Sequence, residues 1–306
     1  MKFNQQTPLD IFLNILFDRY QAKVPAVNQI TQALIERGAV SSQQEIVNDH
    51  IAFRTLRVPH LGISSFEKIF LHHGYQKKDY YFFEGKKLNA YWYAPPSEAY
   101  PRIFISELLV DQLSTQAQEI IHHYTNEITS DPVNQLDLDN GQEIGAFFHQ
   151  PLWTLPTKQD YLTLLNESEY AAWVIYNRYY LNHYTISVHA LKDGYSTLLA
   201  FDDFVEGLGI RLSTSGGKIK ISADELLLQS STVAEMQEAS FADNETLKIA
   251  SSYVEFAERR VLPEFQHLSP DQIKNDHRRD GFETNNADKI FESTYTSQST
   301  IKKPDR

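Results

Sequence analysis

NDHIAFRTL, residues 48–56, reads as a strand with two unlike faces. Side chains alternate along an extended chain, so His50, Ala52, Arg54 and Leu56 share one face. Ile51, Phe53 and Thr55 share the other, and the Ile51–Phe53 side suits packing against a helix. A face that carries an imidazole and a guanidinium needs a chemical reason to exist.

Downstream, GISSFEKIFLHHGY (62–75) places Phe66, Ile69 and Phe70 at helical spacing, with Ser64 or Ser65 as the expected cap and Gly74 as the stop. Three strand-like runs follow: YQKKDYYFF (75–83), LNAYWYAP (88–95) and RIFISELLV (102–110). The order is βαβββ. Upstream, Ile11, Phe12, Ile15 and Leu16, then Val27, Ile30, Leu34 and Ile35, predict two helices split at Pro25 and ending by Gly38. Residues 111–180 read as mostly helical.

A second series begins with LNHYTISVHAL (181–191) as a strand and GYSTLLAFDDFVEGLGI (194–210) as a helix. Residues 210–222, 223–241 and 249–261 contain three further strands, which repeats the βαβββ order. The predicted fold is α+β: two βαβββ modules forming a cupped mixed sheet around a metal site, with added N-terminal and inserted helices. One catalytic domain is expected over 1–306, divided into N-terminal helices (1–45), first module (46–110), helical insert (111–180), second module (181–265) and C-terminal extension (266–306).

The repeat pairs the chemistry as well. His50 opens the first strand of one module and His183 that of the other. Glu107 lies in the last strand of the first module and Glu255 in that of the second. Alternation leaves His183 and Glu255 on polar faces, whereas Glu107 shares its face with Ile103 and Ile105 and remains the rival carboxylate. Eleven histidines are present, so no single one is diagnostic. Two imidazoles and a carboxylate on one concave sheet nevertheless match the facial triad of non-haem Fe(II) oxygenases. Three protein ligands leave three octahedral positions, two for the carboxylate and keto oxygens of a 2-oxo acid and one for O₂. Arg54, on the face of His50, is placed to hold a substrate carboxylate through a bidentate fork.

Composition narrows the partners. Of 306 residues 42% are hydrophobic, with 18 Phe and 17 Tyr, which supports a packed core rather than disorder. A net charge of −12 argues against nucleic acid. With no cysteine, disulfides, thiolate metal sites and a cysteine nucleophile are excluded. No apolar run approaches the roughly 18 residues of a membrane span, and the N-terminus lacks a convincing signal peptide, so a soluble cytoplasmic protein is expected.

NDHIAFRTL, LNHYTISVHAL, LLLQSSTVAE (226–235), SSYVEFAER (251–259) and GFETNNADKIFEST (281–294) together resemble the 2-oxoadipate dioxygenase/decarboxylase family, whose fold is similar to the vicinal oxygen chelate superfamily. The resemblance spans residues from about 10 to 295. It implies Fe(II)-dependent conversion of 2-oxoadipate and O₂ to 2-hydroxyglutarate and CO₂, a step in lysine breakdown. It further implies His50, His183 and Glu255 as metal ligands and Arg54 as the carboxylate-binding arginine, with Gln229 and Ser231 lining the pocket. It also implies that the 281–294 segment closes over the cup, while residues beyond about 296 are expected to fray. After the second histidine the chain departs from the family pattern, reading NHYTISV where the family is nearer NHLTPR; this bears on the substrate pocket rather than the metal set. The rival readings are a glyoxalase- or hydrolase-like Zn²⁺ or Ni²⁺ enzyme, and a protein that binds a small dicarboxylate without chemistry.

Overall fold

A computed structural model describes residues 3, 4 and 6–300. Helix α1 (Pro8–Lys23) starts at a capping box in which the Thr7 hydroxyl accepts from Asp10 N and the Asp10 carboxylate accepts from Thr7 N. Helix α2 (Pro25–Glu36) begins with its proline at the first turn, where no amide hydrogen is needed, and Gly38 follows it at φ +66°.

The first module is β1 (Asn48–Leu56), α3 (Ile63–His72), β2 (Gln76–Phe83), β3 (Leu88–Ala94) and β4 (Arg102–Leu108). Four helices come next: α4 (Thr115–Thr125), α5 (Gly141–Phe147), α6 (Lys158–Glu167) and α7 (Glu169–Asn177). The second module is β5 (His183–Ser187), α8 (Leu198–Gly207), β6 (Lys220–Ile221), β7 (Leu227–Ser231) and β10 (Tyr253–Arg259), with a hairpin of β8 (Met236–Ser240) and β9 (Thr246–Ala250) between β7 and β10. Helices α9 (Thr284–Phe291) and α10 (Thr296–Ser299) form the tail.

Eight strands join in one sheet, in the order β2-β3-β4-β1-β5-β10-β7-β6, which curls into a half-barrel. Each module fills one half along the same path from edge to centre. Strand β1 runs parallel to β4 and β5 parallel to β10, while β1 and β5 meet antiparallel at the seam. Both leading strands, each with its histidine, therefore lie side by side at the centre. The outer face is apolar as expected: the Phe53 ring packs on Phe66 of α3 at 4.8 Å between centroids, and Phe256 packs on Phe201 of α8 at 4.9 Å.

Four features depart from the sequence reading. Strands β8 and β9 form a sheet of their own, so the third sheet strand after α8 is β10; their short alternating runs resemble those of the main sheet, and pairing alone separates them. His189 lies in a 3₁₀ turn after β5, not in the strand. Helix α3 is capped by Glu107 of β4, whose Oε2 accepts from Ile63 N at 2.9 Å, rather than by Ser64 or Ser65. Gly62 makes this possible, since at φ +82° a Cβ would stand 2.7 Å from that oxygen. Finally, the tail stays ordered past 296, where Thr296 N donates to Glu169; the expected fraying of residues 301–306 concerns residues outside the described ones.

Asp202 of α8 is buried against β7, where its Oδ1 accepts from Ser230 Oγ at 2.6 Å and its Oδ2 has no partner. Burial pushes this carboxyl from 3.8 up to about 7. The folded protein thus holds the proton more tightly than the unfolded chain, and stability falls as pH rises from about 4 to about 7. Asp202→Asn keeps the volume and the acceptor for Ser230. It is expected to flatten this loss and to raise the unfolding free energy near pH 8 by up to about 4 kcal/mol, measured by denaturant unfolding of both proteins near pH 5 and pH 8.

Candidate metal centre

His50 comes from β1, His183 from the first residue of β5, and Glu255 from β10; all three are buried. Pairing of Ala52 and Tyr253 with His183 across the two ladders sets their levels in the sheet. His50 Nε2 lies 3.4 Å from His183 Nε2 and 3.5 Å from Glu255 Oε1, and His183 Nε2 lies 3.0 Å from Glu255 Oε2. One donor atom from each residue falls within 4.8 Å of the others. Ligands about 2.1 Å from one cation stand roughly 3.0 Å apart in octahedral geometry and roughly 3.4 Å apart in tetrahedral geometry. The observed separations fit a single ion.

Proton inventory gives the same answer. Asp49 Oδ1 lies 2.8 Å from His50 Nδ1, and Asn182 Oδ1 lies 3.1 Å from His183 Nδ1. The Asp49 carboxylate and the Asn182 amide oxygen both accept, so each imidazole donates through Nδ1 and directs Nε2 inward. Two ring nitrogens and a carboxylate then face one another in a dry interior, a donor set that one shared cation satisfies. Burial alone would push the Glu255 carboxyl up; the His50 and His183 imidazoles outweigh it and hold the group well below its ordinary range. For His50, burial lowers the pKa but Glu255 and Asp49 carry it above its usual value. For His183 burial wins, and the pKa lies below it.

Further groups steady the triad. Gln229 Nε2 donates to Glu255 Oε1 at 2.7 Å, and the Thr185 hydroxyl lies 3.1 Å from His50 Nε2. Asp49 is gripped by Arg259, whose Nε and Nη2 donate to its two oxygens at 2.6 and 2.9 Å. Neither Asp49 nor Asn182 was singled out by sequence reasoning. Strict alternation assigns both to the outer face, and the one available signal is that each ligand histidine follows directly after Asp or Asn.

Arg54 is fully buried, and among the described residues no carboxylate pairs with it. Its guanidinium donates to Thr294 Oγ1 at 3.0 Å and to the Phe291 carbonyl at 2.9 Å, between the rings of Tyr170, Trp173 and Phe291. Its Nε has no partner. The arginine therefore does not fold back onto the triad but stands beyond it in the cup. Ser231 meets Ser293 of the tail at 2.7 Å instead of lining the space above the triad. Glu107, occupied with the α3 cap, drops out as a rival ligand.

The tail seals the cup. The Phe282 ring stands 4.8 Å from the His50 ring, Asn286 Nδ2 donates to Gln229 Oε1 at 3.1 Å, and Tyr253 donates to the Ile290 carbonyl at 3.2 Å. Between the triad and Phe104, Phe282, Ile290 and Phe291 there remains a space of about 20 Å³, room for a water-sized guest. A wider cleft of about 100 Å³, lined by Arg19, Lys23 and Tyr180, holds no comparable donor set.

The profile of the 2-oxoadipate dioxygenase/decarboxylase family matches residues 12–273. The chain is 42% identical over 282 residues to the chloroplastic 2-oxoadipate dioxygenase/decarboxylase of Arabidopsis thaliana, covering 89% of this chain and 74% of the relative. It is 41% identical over 301 residues to the chloroplastic/amyloplastic enzyme of Oryza sativa subsp. japonica, covering 95% and 81%. Among solved structures, hydroxyglutarate synthase from Oryza sativa in complex with 2-oxoadipate superposes with a TM-score of 0.86 at 40% identity, covering 95% of this chain and 93% of that one. The plastid names of both plant relatives overturn the expectation of a cytoplasmic protein. That expectation rested only on the absence of a long apolar segment and of a convincing signal peptide. No helix among the described residues is long and apolar enough to cross a membrane, and that does not distinguish one aqueous compartment from another. On the family profile, on identity across most of its length and on the shared fold, the chain belongs to the 2-oxoadipate dioxygenase/decarboxylase family.

Proposed function

We propose that this chain is an Fe(II)-dependent dioxygenase and decarboxylase that converts 2-oxoadipate and O₂ to 2-hydroxyglutarate and CO₂, a reaction suited to lysine breakdown. The observation that carries this reading is the meeting, in one cup, of a three-donor cation site and a buried guanidinium with no carboxylate of its own. An uncompensated buried charge is costly, and a dicarboxylate that engages the metal at one end and Arg54 at the other would neutralise both. The whole chain acts as one catalytic domain, because both modules supply ligands.

His50, His183 and Glu255 would hold the metal. A bound Fe(II) would supply the redox chemistry that O₂ needs. Gln229 keeps one Glu255 oxygen fixed by its amide. Arg54 binds the far carboxylate and sets which 2-oxo acid chain length fits. Phe104, Phe282 and Phe291 exclude bulk water, which would otherwise compete for the open positions and screen Arg54. Overall, the substrate loses one carbon as CO₂; one oxygen atom of O₂ ends in the new carboxylate and the other in the hydroxyl group.

Metal analysis and an oxygen electrode test the reading together. Glu255→Ala is expected to lose both retained iron and 2-oxoadipate-dependent O₂ uptake, the latter by more than about a hundredfold. Equal turnover of 2-oxoadipate by iron-loaded protein with and without O₂ would overturn the dioxygenase assignment in favour of a hydrolytic or isomerising metalloenzyme. Arg54→Met, which preserves bulk but removes the fork, is expected to retain iron while KM for 2-oxoadipate rises about 10- to 100-fold. That range is the equivalent of losing roughly 1.5–3 kcal/mol of charge-assisted hydrogen bonding. Unchanged steady-state kinetics in this variant would remove Arg54 from the substrate site.

A further inference from the structure

The geometry points to Asp49 and Asn182 as a matched pair of positioning residues, each immediately preceding a ligand histidine and fixing its imidazole so that Nε2 is offered to the metal. This rests on the metal-centre reading and goes beyond it, because it assigns work to two residues that are not ligands.

Three observations carry the inference. First, the two contacts are equivalent across the repeat: Asp49 Oδ1 reaches His50 Nδ1 at 2.8 Å, and Asn182 Oδ1 reaches His183 Nδ1 at 3.1 Å. Second, both residues lie where the strand pattern is interrupted or begins. Pairing of β1 with β5 slips by one residue between Asn48 and Ile51, at the very position of Asp49 and His50, and Asn182 lies one residue ahead of β5. Slips of this kind re-aim side chains that strict alternation would separate. Third, the partner common to both is the imidazole. Asp49 also pairs with Arg259, so by itself it reads as a countercharge; no cation accompanies Asn182 among the described residues, yet the same contact recurs.

The pair is asymmetric, and the asymmetry has a chemical consequence. A carboxylate makes the imidazole that donates to it a stronger ligand, whereas an amide only orients it. Arg259 holds Asp49 at both oxygens, while the Asn182 Nδ2 group has no partner. His50 is therefore the firmer ligand of the two, and His183 the one more readily displaced.

Anaerobic titration of metal-free protein with Co(II), followed by its visible d–d absorption and by metal content after equilibrium dialysis, tests this directly. Affinity is expected to fall from wild type to Asp49→Asn to Asp49→Ala, with about a 10- to 100-fold loss in the alanine variant. The asparagine variant is expected to be partly rescued because an acceptor remains. A countercharge role alone would destabilise both variants equally and leave Co(II) affinity and spectrum unchanged in folded protein; that result overturns the inference. Should neither Asp49 variant fold, Asn182→Ala decides, since it leaves the arginine pair intact. A Kd within twofold of wild type overturns the inference, and a loss of about tenfold, reversed in Asn182→Asp, supports it. Wild-type protein that takes up no Co(II) at all would overturn the metal-centre reading itself, a failure distinct from tight binding by every variant.

Discussion

A carboxylate in a dry interior has to be compensated, and Glu255 is compensated by two imidazoles that reach it from separate halves of the molecule. That requirement organises much else. It fixes β5 between β1 and β10, because the three donors meet only if the leading strands of both modules lie at the seam. It also dictates a row of buried polar residues through a sheet whose outer face is mostly apolar. Asp49, Arg259, Thr185 and Gln229 each satisfy an atom that burial would otherwise strand. Replacing one member is therefore felt by its neighbours, and single substitutions in the network will not be additive.

Electrostatics divides by distance. The chain carries a net charge of −12, which opposes the approach of a dianionic acid from afar. Inside the cup the balance is local: Arg259 behind His50 is paired with Asp49, whereas Arg54 has no carboxylate in contact. Recognition must then arise at short range, where water is excluded and a guanidinium acts with little screening. The net charge itself offers a dianion no long-range attraction.

The triad was legible because two regularities overlapped. Alternation along strands put His50, His183 and Glu255 on polar faces, and the repeated βαβββ order implied that those faces adjoin. Glu107 remained a rival despite the isoleucines on its face, and its tertiary placement, at the start of α3, removed it. The positions that stayed hidden break a local rule. Asp49 and Asn182 lie one residue from a ligand, where alternation sends a side chain the wrong way, and a register slip cannot be read from composition. The cap of α3 was missed because its acceptor is 44 residues downstream in sequence. The resemblance did signal that the 281–294 segment closes over the cup, but not that its backbone carbonyl would meet Arg54.

The cover over the cup and the frame that aligns the donors belong to different elements, and this has a mechanical meaning. His50, His183 and Glu255 stand on strands paired into one ladder. Residues 281–294 add no strand to that sheet and meet the cup through side chains and carbonyls, at Arg54, Gln229, Ser231 and Tyr253 among others. Exchanging those contacts for solvent would break no strand pairing, so the alignment of the three donors does not depend on the doorway.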